Sequence, residues 1–308
     1  MTALRLLLPL VLLALVPAAA RADGPPVTSL DAGPDGVVAL RGGDRYTALQ
    51  TPRGTVLTQS RTRSGRVMRA AVLGRRWGVP VIANDGSSGG LSADGATLVL
   101  IRAAGTYPRR RTSFALVDTG PLTVRRTIAL KGEWGFDALS PDGSTLYLIQ
   151  QAPRDRNRYA VRAYDLRDNR LLPDPVVDPS EPDEPMRGLP VTRTTGPGGR
   201  WEYTLYAGGE HPFIHALDTV RRESVCIDLP HRVARSKRLW DLKLAVRGER
   251  IAVVNDERVV ASAPRGPQQA SVGGGPPWAV AAVLVAGLIA AAGWRGSRRL
   301  PRVGKAHG

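Results

Sequence analysis

The feature that most restricts the fold of this sequence is a turn-and-strand unit that occurs twice. Residues 140–149 read Ser-Pro-Asp-Gly-Ser-Thr-Leu-Tyr-Leu-Ile, and residues 92–101 read Ser-Ala-Asp-Gly-Ala-Thr-Leu-Val-Leu-Ile. Asp-Gly is a strong hairpin signal, because glycine accepts the positive φ that such turns need. Beyond the turn at 142–143, Leu146 and Leu148 point one way and Thr145 and Tyr147 the other, as the two-residue period of a β-strand requires. Each copy therefore predicts a tight turn followed by an outgoing strand.

Weaker versions of the turn occur on both sides of these two copies. The five predicted turns are Arg53-Gly54, Asp94-Gly95, Asp142-Gly143, Gly198-Gly199 and Arg247-Gly248. Their last glycines are separated by 41, 48, 56 and 49 residues. A period of ~40–50 residues is typical of the four-stranded blades of a β-propeller.

A second repeated feature supports the same register. Three later segments, 114–118, 161–165 and 214–218, read as strands that end in Asp before a turn. Each begins a second hairpin, for which we predict returning strands at 127–130, 171–177 and 224–228. Two hairpins in succession form one antiparallel blade. The sequence therefore predicts an all-β fold.

These residues also carry a resemblance to a known family. The Ser-Pro-Asp-Gly turn followed by Leu-Tyr-Leu, and the later strand ending in Tyr-Asp-Leu or Leu-Asp-Thr, resemble the YVTN/WD40-like β-propeller repeats of exported bacterial proteins. The resemblance covers residues 90–230 well and the flanking units poorly. It implies a propeller at the cell envelope and says almost nothing about function.

The ends of the repeated region suggest how the propeller closes. The last unit shows three candidate strands, at 242–246, 251–255 and 258–261, and a spare strand, Val37–Leu40, precedes the first unit. If this spare strand completes the final blade, the first and last units are joined and two open edges disappear. We therefore predict five blades over about 28–263. An open or six-bladed arrangement is the alternative.

The amino terminus has the features of a secretory signal. Arg5 precedes an apolar run from Leu6 to Val16, and Ala20-Arg21-Ala22 fits the small-x-small cleavage rule. We predict that residues 1–22 are a signal peptide and that residues 23–263 form an extracytoplasmic domain. An uncleaved membrane anchor is the alternative.

The carboxyl terminus has the features of a single membrane span. Residues 278–294 are almost entirely apolar with a Trp at each end, and at ~1.5 Å per residue they extend roughly 25 Å. The tail, residues 295–308, carries five basic residues and no acid, which favours a cytoplasmic C-terminus. Residues 264–277 form a Pro/Gly-rich linker. A buried core helix is the alternative reading of 278–294.

Charge and cysteine content limit the chemistry. The formal net charge is +16, supplied mostly by arginine, and the abundance of Arg, Ala, Gly and Pro indicates a GC-rich bacterial genome. Clustered arginines can bind an anionic partner, and the candidate contacts are Arg109, Arg110, Arg111, Arg235 and Arg238. A solvated surface is the alternative. We expect no nucleic acid outside the cell, and the single cysteine, Cys226, excludes an intrachain disulfide.

The sequence contains no recognised catalytic, cofactor or metal motif. His211 and His215 are too far apart along a strand to share one ion. The acidic loop from Asp178 to Glu184 lacks the ordered spacing of a calcium site and is predicted to be solvated. Trp134, Asp137 and Arg187 lie near inner-strand positions without forming a recognised set. The glycine-rich segment 84–90 is predicted to be a flexible loop.

Together these features predict a membrane-anchored, extracytoplasmic propeller that is not an enzyme. We expect it to act as a binding module at the bacterial cell envelope, without a cofactor, and to engage an unknown protein or an anionic envelope polymer. Two alternatives stay open: an exported propeller enzyme such as a lactonase-like hydrolase, and a structural subunit of a membrane assembly.

Overall fold

The computed structural model describes residues 32–33, 35–103, 107–152, 155, 158–184, 186–208, 211–230, 233 and 239–265. Their regular structure is almost entirely β-strand, and no helix among them is long and apolar enough to cross a bilayer. The predicted signal peptide, membrane span and basic tail lie outside the described residues. So does the predicted linker, apart from Pro264 and Arg265.

The described strands form five antiparallel sheets. The first strand of the chain, β1 (Ala32–Gly33), lies at the edge of the second sheet. The first sheet has the order β2 (Val37–Val38), β3 (Asp44–Thr51), β4 (Gly54–Arg61) and β5 (Val67–Leu73). The second sheet continues from β1 with β6 (Trp77–Pro80), β7 (Thr97–Arg102), β8 (Arg111–Asp118) and β9 (Thr123–Lys131).

The other three sheets follow in chain order. The third sheet has the order β10 (Trp134–Leu139), β11 (Thr145–Gln151), β12 (Arg158–Asp165) and β13 (Arg170–Val176), and β14 (Met186–Arg187) also pairs with β12. The fourth sheet has the order β15 (Leu189–Thr195), β16 (Trp201–Ala207), β17 (Phe213–Asp218) and β18 (Glu223–Asp228). The fifth sheet has the order β19 (Lys243–Arg247), β20 (Arg250–Asn255) and β21 (Arg258–Pro264). The three predicted returning strands are confirmed as β9, β13 and β18.

The two Asp-Gly turns have the predicted geometry and stand directly before β7 and β11. In the second turn the Asp142 carboxylate accepts hydrogen bonds from the Ser140 hydroxyl at 2.6 Å and the Ser144 amide at 3.1 Å. Gly143 has φ of 65°. Ser92 and Asp94 repeat the first of these bonds at 2.5 Å in the other turn. Each turn is specified by hydrogen bonds between neighbouring residues and by one glycine. Because these residues are adjacent in the chain, the turn could be predicted from sequence.

The predicted register of the first sheet was wrong. Arg53-Gly54 lies between β3 and β4, the second and third strands, rather than between the first and second. The spare strand predicted at Val37–Leu40 is therefore the first strand of its own sheet, where Val37 pairs with Tyr46. It does not complete the last blade, and the fifth sheet has three strands among the described residues.

Four buried apolar clusters join successive sheets face to face. Leu57 of the first sheet packs with Trp77 of the second, and Phe114 of the second packs in one cluster with Leu146 of the third. The third and fourth sheets share a cluster containing Tyr206. The fourth and fifth sheets share another, which contains Ile251. Sheets that pack in this sequence are the blades of a propeller. In the described part of the chain, no such cluster joins the fifth blade to the first.

Candidate functional site

A cavity of about 630 Å³ lies where turns from all five blades meet. Arg265 follows the last strand; the other lining residues lie in or beside the connections from β2 to β3, β6 to β7, β10 to β11, β15 to β16 and β19 to β20. The lining residues are Leu40, Arg41, Ala93, Asp94, Pro141, Thr195, Gly196, Pro197, Gly198, Val246, Gly248, Glu249 and Arg265. Because equivalent turns of every blade contribute, the cavity is the mouth of the central channel, and we call it the mouth.

The polar groups of the mouth carry both signs of charge. Arg265 pairs with Glu249 at 3.0 Å and donates to the carbonyl of Gly248 at 3.0 Å. The Arg265 carbonyl accepts a hydrogen bond from the buried Tyr203 hydroxyl, which fixes the end of the fifth blade against the fourth. Arg41 and Asp94 face the same cavity. A mixed, concave surface of this kind can bind a polar partner.

An insertion between β6 and β7 crosses the channel beneath the mouth. Residues 81–89, which we call the plug, hydrogen-bond to the inner strand of the fourth blade: the Asn84 amide donates to the Pro190 carbonyl at 2.9 Å. Ile82 and Ala83 are buried. Asp85 pairs with Lys243 of the fifth blade at 2.7 Å. The prediction of a flexible loop at 84–90 was wrong, because buried apolar groups and cross-channel bonds hold this segment.

The Asp85 carboxylate is charged where it holds the plug. Burial alone would raise its pKa, but hydrogen bonds from Lys243, Ser87 and Thr192 outweigh burial and hold the pKa below its usual value. The plug is thus fastened by an ionised group at neutral pH.

Three charged side chains surround a small chamber of about 80 Å³ inside the channel. Arg193 Nη1 lies 2.7 Å from Asp137 Oδ1 of the third blade, and Arg193 Nε lies 3.2 Å from Glu202 Oε2. The Thr195 hydroxyl donates to the same Glu202 oxygen at 2.8 Å and also lines the mouth. This buried charge cluster of Asp137, Arg193 and Glu202 forms the floor of the mouth together with the plug.

Burial controls the protonation of this cluster and its neighbours. It raises the pKa of the Glu202 carboxyl, although Arg193 and Thr195 act in the opposite sense. Burial alone would lower the pKa of the Arg193 guanidinium, but Glu202 and Asp137 raise it above its usual value. Burial lowers the pKa of His215, which keeps that imidazole neutral. The cluster therefore retains one fixed cation beside two carboxyl groups.

The charged groups of the chamber are largely shielded from solvent, with side-chain exposures of 3% for Asp137, 5% for Arg193 and 12% for Glu202. Asp137 Oδ2 and Arg193 Nη2 have no protein partner among the described residues, which leaves two polar atoms for bound water. A polar cavity of this size has room for water. The chamber stabilises the floor, and a ligand of ordinary size has room in the mouth.

The sequence-predicted arginines do not form one site. Arg109 is buried and ion-paired to Glu133, with Arg109 Nε 3.5 Å from Glu133 Oε1, whereas Arg110 and Arg111 are exposed. Arg235 and Arg238 lie outside the described residues. A role in binding an anionic partner remains a prediction for the exposed pair.

The inner-strand residues singled out from sequence also separate. Asp137 lines the chamber, Trp134 is buried in the core, and Arg187 lines a peripheral pocket. Sequence reasoning missed Arg193 and Glu202, the two partners of Asp137. The available signal was a charged residue within each of two strands, β15 and β16, that are otherwise largely buried. A charge at a buried position is costly unless it has a buried partner of opposite charge.

The peripheral pocket, of about 310 Å³, lies between the third and fourth blades. Asp178 is buried rather than solvated as predicted: its Oδ2 accepts the Cys226 amide at 2.7 Å and its Oδ1 the Ser180 hydroxyl at 2.6 Å. One ligand atom each from Asp178, Glu181 and Cys226 lies within 4.8 Å of the others, an arrangement that could hold a metal ion. Burial raises the pKa of the Cys226 thiol to about 12, and the carboxylate of Asp178 is already engaged, so we assign no ion here.

Comparisons with known proteins give a fold likeness and no family. No family model matches the sequence. No curated protein matches it either. Among solved structures, the hydrazine synthase of Kuenenia stuttgartiensis is 16% identical with a TM-score of 0.44, over 75% of this chain and 58% of that chain. TolB from Acinetobacter baumannii is 13% identical with a TM-score of 0.36, over 66% of this chain and 44% of that chain.

The β-propeller domain of Myceliophteria thermophila Cps50 (Swd1) is 9% identical with a TM-score of 0.43, over 80% of this chain and 70% of that chain. The present chain spans less than two thirds of hydrazine synthase and of TolB. At such identities and TM-scores these likenesses carry no information about function, and the propeller assignment rests on the five packed sheets.

Proposed function

We propose that this chain is a non-catalytic binding module at a bacterial cell envelope, and that it engages its partner at the mouth of the propeller. The observation that carries the proposal is the mouth itself: all five blades contribute to a cavity of about 630 Å³, and the plug and the buried charge cluster lie next to it. A partner at this position would meet a concave surface built by every blade.

The same geometry weighs against the hydrolase alternative. Perturbed ionisable groups in a cleft often mark catalysis, and Glu202 is such a group. Catalysis would require that substrate reach it, however, and the Glu202 side chain is only 12% exposed. The carboxylates that line the mouth are those of Asp94 and of Glu249, which is paired with Arg265.

The proposed location rests on the ends of the sequence. The signal-like residues 1–22 and the apolar residues 278–294, followed by a basic tail, support an extracytoplasmic propeller held by a single span. On this proposal the propeller is outside the cytoplasmic membrane and the C-terminus is inside.

The topology has a direct test, because Cys226 is the only native cysteine. The test uses a Cys226→Ser background and cells whose outer envelope layer is permeabilised while the cytoplasmic membrane stays intact. In these cells, Lys131→Cys should react with a maleimide that does not cross the cytoplasmic membrane. Lys305→Cys should react only after the cells are lysed. Labelling of Lys305→Cys in intact cells, or protection of the exposed Lys131→Cys until lysis, would contradict the proposed orientation.

A further inference from the structure

The first blade has a free face that no other part of the described chain covers. Its other face, with Tyr46, Ala48 and Leu57, packs on the second blade. Leu49, Val56 and Val72 lie opposite one another across β3, β4 and β5, and strand alternation turns them away from that packed face. Leu49 is 52% exposed and Val72 is 72% exposed. We call this surface the first-blade face.

The first-blade face holds an unusual share of the exposed apolar surface. Four of the eleven exposed large apolar side chains in the described residues belong to it: Leu49, Val67, Met68 and Val72. Scattered single apolar residues need no explanation, but a grouping on one sheet face marks an interaction surface. β5, which carries Val67 and Val72, is also the outer strand of the sheet and pairs only with β4 in the described part.

The same blade is strongly basic. Residues 35–76 contain nine arginines and two aspartates. One aspartate, Asp44, is neutralised by Arg61 at 2.8 Å. Arg41, Arg63 and Arg66 are exposed at one end of the blade, and Arg53, Arg75 and Arg76 are exposed at the other. The apolar face therefore lies between two groups of uncompensated guanidinium groups.

We propose that the first-blade face docks on the surface of an anionic phospholipid bilayer. Guanidinium groups bind phosphate oxygens in a bidentate manner, and aliphatic side chains between them enter the headgroup region. An anionic polymer would satisfy the arginines but leave Leu49, Val67 and Val72 in water. A lipid surface can bind the arginines and the apolar side chains at the same time. Because lipids are fluid, such binding needs no preformed pocket, and these three side chains line none of the cavities described above.

An apolar sheet face could also pair with the same face of a second copy of the protein, but the charge of this blade disfavours such a dimer. Two such faces would bring two sets of arginines together, and like charges across an interface are repulsive. A partner protein would need a matching acidic surface, and that possibility is an outcome of the experiment below.

The test uses the full-length protein with lipid discs of zwitterionic lipid or of zwitterionic and anionic lipid mixed. Hydrogen–deuterium exchange is followed in peptides from the first blade. Association with neutral discs reports the proposed span; slower exchange of β4 and β5 in anionic discs alone reports the first-blade face. The two proposals can therefore fail separately. High salt should remove the extra protection, because it screens exposed charges.

Matched variants sharpen the result. Because each basic residue near an anionic surface contributes ~1 kcal/mol, or about fivefold, neutralising Arg53, Arg63 and Arg66 to Gln should weaken the surface attachment about 100-fold and abolish the protection. The control neutralises three exposed arginines elsewhere, Arg167, Arg170 and Arg258, and should leave the protection unchanged. Equal exchange in neutral and anionic discs would overturn the proposal and leave the face to an acidic protein.

Discussion

Replacing Arg193 by Met should lower the free energy of unfolding by about 3–5 kcal/mol. The side chain is 5% exposed and is the cation of the buried charge cluster, so its loss leaves Asp137 and Glu202 facing each other without a counter-charge. Breaking a buried pair costs more than the pair contributes, because the remaining charge stays desolvated. Urea unfolding in mild detergent, followed by tryptophan fluorescence, measures the loss.

Two further variants identify the cause. The triple replacement Asp137→Asn, Arg193→Met and Glu202→Gln should recover most of the lost stability, since no uncompensated charge remains. Arg167→Met removes an exposed arginine whose partner, Asp142, is 3.3 Å away, and should change stability by at most ~1 kcal/mol. A loss below that level for Arg193→Met would mean that the cluster is open to water.

Replacing Phe136 by Ala should lower the free energy of unfolding by about 3–5 kcal/mol. The ring is 2% exposed, lies in the cluster shared by the second and third blades, and lines the chamber. A methyl group at Gly89 of the plug would approach the ring to 2.9 Å, so the ring also supports the plug. Its removal leaves a cavity beside the channel and frees Ile82.

The control for this variant is Val220→Ala, because Val220 is a 58% exposed turn residue. It should alter stability by no more than ~0.5 kcal/mol. Urea unfolding measures both variants. If Phe136→Ala costs as little as Val220→Ala, the plug does not pack on the third blade as described.

The parts of the fold that could be predicted from sequence are those specified by neighbouring residues. The turns at Asp94-Gly95 and Asp142-Gly143 depend on a serine, an aspartate and a glycine within four positions, and both were located correctly. The first blade lacks that signal: the turn before β3 is built by Gly42 and Gly43, both with positive φ, without the Ser-x-Asp-Gly sequence. A register that starts at Arg53-Gly54 begins the first blade one strand too late, and the predicted closure is wrong for the same reason.

The candidate site could not be predicted in the same way, because it depends on residues far apart in the chain. The ion pair of Asp137 with Arg193 joins positions separated by 56 residues, and that of Asp85 with Lys243 joins positions separated by 158. Glycine and serine between Asp85 and Gly90 indicate a loop on composition alone. Only the packing of five blades around one axis shows that this loop lies across the channel.

On this proposal the mouth binds the partner, and the floor beneath it stabilises the fold. The floor concentrates the buried charges and the plug, whereas the mouth presents exposed turns from every blade. Binding variants should therefore map to the turns, and stability variants to Arg193, Phe136 and their neighbours.

Site-specific photo-crosslinking in living cells tests the central claim most directly. A photoreactive benzoylphenylalanine is placed in the full-length protein at Leu40 or Glu249, both exposed at the mouth, and at Lys131, an exposed residue that does not line it. The account predicts the same cross-linked species from Leu40 and Glu249 and none from Lys131. Cross-links that are absent from both mouth positions, or equally strong from Lys131, would contradict it.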